Sequence, residues 1–383
     1  MSEMTAIVAG GGIGGLATAA ALAQRGWRVT VYERQDQLRA VGAGIYIWEN
    51  GLRVLEAIGA CEAATRDAFR GTHFEQRDQN GEIIESNPIS GPNRLLTVPR
   101  SVLLGALADA CRKAGVTIVT GAEVVGATAR GELVFASGER TRADLAVGVD
   151  GLWSRVRESL GLEQSIQQQL EGALRTMVPS RENDFGSADV GKYIECWNGA
   201  RRLLITPINA KEIYLALTCG YQDRAACSLP VNKAVWIQSF PRWEHLISRI
   251  GEAPVSWGVY HVVHCRAWSA GQTAIIGDAA HAQTPNLGQG GGMAMQNGLA
   301  LAATLEGISD PRDIPARLES WEAAERDIVE HCQRWASLYG EVLFLPDAIR
   351  TRVLRAGMSD PWVAGQVFRA AGHAPKGTRP PAA

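Results

Sequence analysis

The N-terminal pattern is an apolar run, a cluster of glycines and a run of small residues. Residues 6–9 are apolar, and five of the six residues from 10 to 15 are glycine. Residues 16–23 are mostly alanine, and a second apolar run ends at Glu33. Since a short apolar run suits a buried strand and small residues suit a closely packed helix, this order predicts a strand, a tight turn, a helix and a second strand.

Beyond Glu33, apolar positions recur either at helical spacing or in alternation. Asn80-Gly81 lies between two alternating runs and predicts a hairpin. Ser101 is a candidate cap for the helix that follows. The predicted helices are 50–59, 100–114, 233–250, 293–305 and a helical region 314–371 with breaks near Pro346 and Pro361. The predicted strands are 72–77, 82–86, 116–119, 123–129, 132–136, 140–143, 144–149, 173–178, 192–197, 202–206, 212–218, 255–263 and 273–276.

These elements predict a mixed α/β (α+β) fold in which a Rossmann-like nucleotide-binding domain is interrupted by a mostly antiparallel sheet. The nucleotide-binding domain is expected to comprise 1–71, 99–171 and 266–310, and the inserted sheet 72–98 and 172–265. Residues 311–372 are expected to form C-terminal helices. The tail 373–383 is rich in proline and glycine, which predicts disorder.

Composition narrows the class of protein. The formal net charge of the 383 residues is −2, and no run of Lys or Arg occurs. The charge therefore favours neither nucleic acid nor an anionic membrane surface as a partner. Seven widely spaced cysteines without a CxxC pair predict free thiols and a cytoplasmic location. His261, His264 and Cys265 are not expected to bind a metal, because residues three apart in a strand point to opposite faces.

The first glycine cluster predicts a dinucleotide site. A side chain at Gly10 or Gly12 is expected to block a pyrophosphate, while Gly15 lets the helix approach the strand. The helix N-terminus offers free N–H groups to phosphates. Glu33 follows at the spacing at which a carboxylate accepts hydrogen bonds from a ribose. The alternative is a glycine-rich turn in an unrelated α/β protein.

Two later stretches repeat the pattern of an apolar strand, an acid and a glycine. The first ends in Asp150-Gly151, and Asp150 is either a ligand-binding residue or a turn and helix-cap acid. The second runs through Gly277-Asp278 to the glycines at 290–292, which precede a helix. Such a helix start can direct backbone N–H groups at the electron-rich edge of a ring.

In this combination, the chain resembles the flavoprotein aromatic hydroxylases, the p-hydroxybenzoate hydroxylase-like single-component FAD monooxygenases. The resemblance covers nearly the whole chain. Residues 38–48 and 50–56 are most similar to the members that oxygenate pyridine carboxylates. The motifs that carry the family resemblance are GGGIGG with Glu33-Arg34, Asp150-Gly151 with Ser154 and Arg157, and GDAAH with Pro285 and GQGGG.

The resemblance implies non-covalent FAD, NADH or NADPH as co-substrate, and dioxygen. It assigns the pyrophosphate to the first glycines, the ribose to Glu33, and the pyrimidine edge of the flavin to the glycines at 290–292. Asp150 and Arg157 belong to a motif linked to both FAD and the nicotinamide donor. The implied cofactor-binding residues are Gly10, Gly12, Ile13, Gly14, Gly15, Glu33, Arg34, Arg39, Arg100, Val124, Asp150, Arg157, Asp278, Gly290, Gly291 and Gly292.

The resemblance also implies a substrate site on the inserted sheet. Arg202 and Tyr214 match positions that face the ring substrate, and Arg175 is a second anion-binding candidate. Pro285 suits a dry pocket. Phe74 stands where the pyridine-carboxylate oxygenases have a tyrosine. The expected catalytic residues are Arg202, Tyr214 and Pro285, and the expected substrate-binding residues are Phe74, Arg175, Arg202 and Tyr214.

The implied reaction is oxygenation of an electron-rich hydroxylated ring through a C4a-hydroperoxide of the flavin. The favoured substrate is a hydroxypyridine-type carboxylic acid, with ring opening as one outcome. The alternatives are hydroxylation of a benzenoid phenol or benzoate, an FAD reductase or oxidase, and a nucleotide-binding regulatory module. The expected partner is a small aromatic molecule, with no nucleic acid or membrane, in a monomer or homodimer.

Overall fold

The computed structural model describes residues 3–39, 42–89, 93–251 and 255–378. Ala40 and Val41, within the stretch 38–48, and residues 379–383 of the predicted tail lie outside the described residues.

The strands are β1 Thr5–Ala9, β2 Arg28–Tyr32, β3 Gly44–Trp48, β4 His73–Arg77, β5 Ile83–Pro88, β6 Leu95–Pro99, β7 Thr117–Val119, β8 Val124–Thr128, β9 Glu132–Phe135, β10 Arg140–Arg142, β11 Leu145–Gly148, β12 Glu163–Pro179, β13 Lys192–Asn198, β14 Arg201–Pro207, β15 Glu212–Gly220, β16 Ser256–Cys265, β17 Ser269–Ala270 and β18 Thr273–Ile275. The α-helices are α1 Ile13–Ala23, α2 Glu49–Ala57, α3 Cys61–Thr65, α4 Arg100–Lys113, α5 Arg155–Ser159, α6 Lys233–Ser239, α7 Glu244–Ile247, α8 Asp278–His281, α9 Gly290–Thr304, α10 Ile314–Glu341, α11 Asp347–Ser359 and α12 Pro361–Phe368. Short 3-10 helices cover Pro241–Trp243, Pro285–Leu287, Pro311–Asp313 and Val342–Phe344.

A six-stranded sheet in the order β17-β18-β11-β1-β2-β7 carries the three glycine-containing stretches. Strand β1 pairs in parallel with β2 and β11, and β11 pairs in parallel with β18. Because the carboxyl ends of parallel strands share one edge of a sheet, the turns after these strands meet there. Gly10, Asp150 and Gly277 therefore come together, although they are far apart in sequence.

Helices α1 and α9 pack against each other through small residues. A Cβ atom at Gly14 would lie 3.0 Å from the Cβ of Ala294, and one at Gly298 would lie 2.2 Å from Oγ1 of Thr18. Such contacts leave no room for larger side chains, so the close approach depends on these glycines. The packing fixes the N-termini of both helices relative to each other.

A seven-stranded sheet in the order β16-β12-β15-β14-β13-β4-β5 forms the second layer. All neighbours are antiparallel except β13 and β4, which are parallel. The hairpin β4–β5 thus extends a sheet whose other strands come much later in the chain. A smaller core of Ile84, Trp197, Leu343 and Leu354 joins this sheet to the C-terminal helices.

Two smaller sheets complete the described strands. Strands β8, β9 and β10 form the predicted meander, and β3 pairs antiparallel with β6. The β3–β6 pair is absent from the sequence prediction. Strand β12 also begins at Glu163, well before the predicted start at 173, because a glutamine-rich segment continues its pairing with β16.

Two local predictions are wrong. The predicted helix 233–250 is divided into α6, a 3-10 turn and α7. Pro241 lies at the division. It interrupts the helix because proline lacks the N–H that a continuous helix requires. Ser101 is not the cap of α4, because it lies inside the helix. The helix begins at Arg100, and its N-cap is Pro99, which makes no side-chain cap hydrogen bond.

All seven cysteines are free, and five of them are buried. Across the ranges that the structure describes, every helix is too short or too polar to cross a bilayer. Within the predicted tail, Nζ of Lys376 donates to Oγ1 of Thr304 at 3.0 Å, so the start of this segment contacts α9.

Candidate active site

One cavity runs from the glycine turn after β1 to the seven-stranded sheet. Its volume is about 1790 Å³, whereas pockets for drug-sized ligands measure roughly 300–1,000 Å³. The cavity therefore has room for a large cofactor and a second ligand. The sequence-predicted residues that line it are Gly10, Gly12, Ile13, Gly14, Glu33, Arg34, Phe74, Arg39, Arg100, Val124, Asp150, Arg157, Arg175, Arg202, Tyr214, Asp278, Pro285, Gly290 and Gly291. Gly15 and Gly292 are outside this lining.

The three key glycines of the first turn serve different purposes. A Cβ atom at Gly12 would meet none of the described residues within 4 Å, so it would project into the cavity. At Gly10 the φ angle is +113°, and a Cβ atom would lie 2.3 Å from the backbone oxygen of Val149. At Gly15 it would lie 1.9 Å from the oxygen of Gly10. Gly12 thus leaves space for a pyrophosphate, whereas Gly10 and Gly15 allow the chain to pack on itself.

Glu33 stabilises the turn that it follows. Its Oε2 accepts from the N–H of Gly11 at 2.8 Å, and its Oε1 accepts from the N–H of Gln35 at 2.9 Å. The carboxylate is half-buried at the cavity wall, while Arg34 and Arg39 are exposed there. A carboxylate beside two exposed arginines suits the ribose and phosphates of a nucleotide.

Asp150 caps α5 from the edge of the cavity. Its carboxylate accepts from Ser154 Oγ at 2.5 Å and from the N–H of Arg155 at 2.7 Å. Arg157 is 1% exposed and donates to the backbone oxygens of Leu152 and Ala279. The Asp-Gly turn is therefore tied to α8, at the start of the third glycine-containing stretch.

A charged group lies between the two sheets, where Asp278 faces Arg100 and Arg175. The carboxylate of Asp278 is open to the cavity but deep in the protein, and this burial raises its pKa while the two arginines act in the opposite direction. Burial lowers the pKa of Arg100. Burial also opposes the charge of Arg175, but Tyr260 and Tyr214 outweigh this effect and raise its pKa. With two cations and one anion, this part of the cavity attracts negative charge.

The start of α9 borders the cavity on the side of β3. A Cβ atom at Gly291 would lie 2.7 Å from Cδ1 of Ile45, and one at Gly292 would lie 3.3 Å from Oδ1 of Asn50. At Gly290 it would meet none of the described residues within 4 Å. The first N–H groups of this 15-residue helix have no partner within the helix and can stabilise a partial negative charge.

Arg202 lies in a buried ionic cluster that the sequence analysis missed. Its Nη1 is 3.6 Å from Glu195, and its Nη2 is 3.8 Å from Glu171. Nη2 also donates to Oδ1 of Asn286 at 2.6 Å, and Asn286 donates to Glu171. Burial lowers the pKa of Arg202, but the two carboxylates outweigh this and raise it. The charge of Arg202 is thus already balanced within the protein.

The cluster continues into the wall of the cavity. Glu195 accepts from Tyr339 and from Nε2 of Gln76. Glu195, Arg202, Asn286, Gln76 and Tyr339 all line the cavity. Nη1 of Arg202 and Oε2 of Glu171 have no hydrogen-bond partner among the described residues. The sequence signals for this cluster were Arg202 and an acid within the predicted strand 192–197. The cluster itself was missed, because its members come from different elements.

Tyr214 lies between the charged group and β3. It is 8% exposed, and burial raises its pKa while Arg175 and Arg100 act in the opposite direction. Its Cβ is 3.1 Å from the position of a Cβ at Gly44, so it contacts the strand beside α9. Tyr46 on that strand forms a hydrogen bond with Thr206. Tyr214 therefore contributes a hydroxyl with a raised pKa to the part of the cavity nearest the seven-stranded sheet.

The segment before Pro285 carries buried polar groups. His281 is 4% exposed, and burial lowers its pKa to about 4, so its ring is neutral near pH 7. The amide of Gln283 and the hydroxyl of Thr284 have no hydrogen-bond partner among the described residues. Gln283 lines the cavity.

Comparison with known proteins gives consistent matches. The family model described as "FAD binding domain" matches residues 3–336. A probable 2-heptyl-3-hydroxy-4(1H)-quinolone synthase of Rhodococcus erythropolis is 39% identical over 94% of each chain. A 2-heptyl-3-hydroxy-4(1H)-quinolone synthase of Mycobacteroides abscessus is 38% identical over 93% of this chain and 95% of its own. The structure of a tetrameric form of 2-methyl-3-hydroxypyridine-5-carboxylic acid oxygenase is 33% identical, with a TM-score of 0.87, and the match covers 99% of this chain and 100% of that one.

Proposed function

The chain belongs to the FAD-binding-domain family of aromatic-ring monooxygenases, and from that premise we propose that it hydroxylates a neutral N-heteroaromatic ring of the 2-alkyl-4(1H)-quinolone type. The enzyme uses FAD, NAD(P)H and dioxygen. FAD reduced by NAD(P)H supplies the activated oxygen when bound. The balanced reaction converts ring C–H, dioxygen, NAD(P)H and a proton into ring C–OH, NAD(P)⁺ and water.

The observation that carries the proposal is the charge of the cluster around Arg202. One guanidinium faces two carboxylates there, so the formal charge is −1 in a buried environment. A carboxylate on the substrate would add a second uncompensated negative charge at low dielectric, which is unfavourable. A neutral ring that carries both a hydrogen-bond donor and an acceptor avoids this penalty.

A 4(1H)-quinolone carries such a pair, since its ring N–H donates and its C=O accepts. In the proposed complex, Arg202 Nη1 donates to the ring C=O, and Glu195 accepts from the ring N–H. Both interactions draw electron density from nitrogen through the ring towards the oxygen. The acceptance by Glu195 makes the carbon next to the C=O more nucleophilic, and Arg202 stabilises the negative charge on the oxygen. This carbon is the one to which oxygen would be added.

The other predicted residues then have supporting roles. Tyr214 would orient the ring, and Pro285 would help to exclude water from its oxygenated edge. The first N–H groups of α9 would stabilise negative charge on the bound cofactor. Gly12, Glu33 and Arg39 would hold its nucleotide end, far from the reacting carbon.

A second candidate is a hydroxypyridine-type carboxylic acid, with or without ring opening. Arg175 favours it, since this cavity-lining cation lies in a group of two cations, Arg100 and Arg175, and one anion, Asp278. The 33% identity with the pyridine-carboxylate oxygenase supports it as well. In this case the substrate carboxylate would pair with Arg175, and Arg202 would remain within its cluster.

The test is a substrate panel with the FAD-loaded protein. It compares 2-heptyl-4(1H)-quinolone, 2-methyl-3-hydroxypyridine-5-carboxylic acid and 4-hydroxybenzoate for stimulated NAD(P)H oxidation, with labelled dioxygen and product mass. We expect one labelled oxygen atom in the quinolone and an intact ring. Product from the acid alone would replace the first proposal with the second, and product from 4-hydroxybenzoate alone would contradict both.

A further inference from the structure

A group of apolar residues on and near α12 lines one part of the cavity, which we call the C-terminal crevice. It is defined by Trp48, Phe74, Ile89, Val367, Phe368 and Ala371, all of which line the cavity. Strand β3, the hairpin β4–β5 and helix α12 contribute these side chains or the residues next to them. The crevice is thus enclosed by elements from both ends of the chain.

Three contacts hold the walls of the crevice together. The rings of Trp48 and Phe368 are 5.6 Å apart. The N–H of Asn50 donates to the backbone oxygen of Ala371 at 3.0 Å. A Cβ atom at Gly372 would lie 3.0 Å from Oδ1 of Asn93. The end of α12 therefore contacts β3, and the segment after it contacts α2 and the residues that precede β6.

The crevice opens beside the proposed ring site. Nε1 of Trp48 donates to the backbone oxygen of Leu287 at 3.1 Å, next to the start of α9. Phe74 lies two residues before Gln76 on β4, and Gln76 donates to Glu195. Since residues two apart in a strand share a face, Phe74 and the Arg202 cluster border the same space.

Helix α12 is the outer wall of the crevice and is only partly buried. Val367 and Phe368 are half-buried, and Trp362 is 66% exposed. His331 of α10 contacts the backbone oxygen of Gln366 at 2.9 Å, which holds the helix against the protein. Apolar side chains that face an internal cavity in this way favour an apolar ligand group.

We propose that the C-terminal crevice binds the alkyl chain of the ring substrate and that α12 sets the preferred chain length. The inference rests on the proposed function, because it assigns a site to one part of the proposed substrate. The polar ring would lie at the Arg202 cluster, and the chain would extend past Phe74 towards Val367 and Ala371. Binding would then strengthen with each methylene group that the crevice can bury.

The expected gradient follows from the transfer of methylene groups out of water. Each buried methylene should improve kcat/KM or the dissociation constant about fourfold, until the crevice is filled. From a methyl to a heptyl substituent the total gain should therefore be at least about tenfold, even if only part of the chain is buried. A ring that binds without using the crevice would show no such gradient.

The test combines a homologue series with variants of the crevice wall. Equilibrium dialysis and steady-state kinetics would be measured with 2-methyl-, 2-propyl- and 2-heptyl-4(1H)-quinolone on the FAD-loaded protein. Val367→Phe fills the crevice from α12, and Ala371→Leu fills it from the segment that follows α12. Val353→Phe, at a 43% exposed position on α11, is the matched control. Retained flavin absorbance identifies the variants that fold.

We expect the wild type and Val353→Phe to prefer the heptyl homologue at least about tenfold. Val367→Phe and Ala371→Leu should lose most of that preference and keep the affinity for the methyl homologue. Turnover of all homologues without a chain-length gradient, or a gradient that survives both crevice variants, overturns the inference but leaves the proposed function intact. Binding that follows chain length without turnover of any homologue supports the crevice and contradicts the proposed function.

Discussion

At the scale of single residues, Arg202 shows how structure changes the meaning of a motif position. The sequence predicts an arginine that pairs with a substrate anion, but in the fold its charge is balanced by Glu195 and Glu171. Strand pairing brings these three residues together from β12, β13 and β14. Sequence spacing contains no information on such pairing, so the cluster could not be predicted.

Glu195→Gln tests the role of the cluster in turnover. The amide keeps the size of the side chain but removes its charge and its capacity to accept strongly from a ring N–H. We expect kcat for the quinolone to fall about 100-fold, in the range of a lost acid–base group, with FAD retention unchanged. Steady-state kinetics and flavin absorbance measure the two effects.

The matched control for this variant is Glu82→Gln, on the exposed turn of the hairpin. It should turn over the substrate at the wild-type rate. If Glu195→Gln also retained the wild-type kcat, Glu195 would not contact the ring.

Gly12→Val separates cofactor binding from folding. The backbone at Gly12 is extended, with φ −80° and ψ −175°, and its Cβ would project into the cavity. Valine is therefore compatible with the fold but occupies the space assigned to the pyrophosphate. We expect the FAD dissociation constant to rise more than about tenfold, with little change in the melting temperature of the apo-protein.

Gly10→Ala is the contrasting variant, because its Cβ would collide with the oxygen of Val149. It should lower the melting temperature of the apo-protein itself. Wild-type FAD affinity in Gly12→Val would show that the pyrophosphate lies elsewhere.

His281 predicts a dependence of stability on pH. Burial lowers its folded-state pKa to about 4 from the usual 6.5, so between these values the unfolded chain binds the proton more tightly. The contribution of the neutral His281 to the free energy of unfolding is complete above pH 6.5. It is lost as the pH falls towards 4, by about 3 kcal/mol in total. Urea unfolding at several pH values should show this slope, and His281→Asn should flatten it. If the pH dependence of unfolding were unchanged in His281→Asn, His281 would not be the group responsible for it.

At the scale of elements, the N-terminal ends of α1 and α9 are held in place by contacts between small side chains. Gly298→Val would place methyl groups against Thr18, where a single Cβ already lies within 2.2 Å of Oγ1. We expect the free energy of unfolding to fall by about 1–3 kcal/mol, together with weaker FAD binding, because both helix starts border the cavity. Urea unfolding and flavin retention measure these effects.

Gly105→Val is the control for this variant, since Gly105 is exposed on α4 and no described residue lies within 4 Å of its Cβ position. Its unfolding midpoint should remain close to that of the wild type. Equal effects of the two substitutions would contradict the inference that close packing of α1 against α9 stabilises the protein.

The elements that sequence predicted well are those whose signals are local. The turn after β1, the hairpin β4–β5 and the helical region after residue 314 each carry their own glycine, proline or periodicity signal, and the mixed α/β class is confirmed. The pair β3–β6 was missed, because each strand needs a partner far away in sequence. In the site, the glycine and acid motifs could be located in advance, whereas the contacts among Arg175, Tyr214 and Asp278 depend on how the two large sheets face each other.

At the scale of the whole molecule, both large sheets line one cavity, so we expect bound FAD to stabilise the two sheets together. Residues from each sheet line it, including Ala9 of β1 on one side and Arg175 of β12 on the other. FAD that binds only the folded chain should stabilise it by about 2.7 kcal/mol at 100 times its dissociation constant. Removal of FAD should therefore lower the melting temperature, and stepwise addition should restore it. A melting temperature independent of FAD concentration would contradict this coupling.

The order of strands in the six-stranded sheet also governs how the chain is made. Strand β1 leaves the ribosome first, yet its neighbour β11 ends at Gly148, and β18, which completes the parallel set, ends at Ile275. At roughly 5–20 residues per second, translation needs on the order of tens of seconds to supply these partners. During that interval the apolar edge of β1 is open to wrong pairing. The yield of folded enzyme should therefore depend on elongation speed and on chaperones that cover the nascent chain.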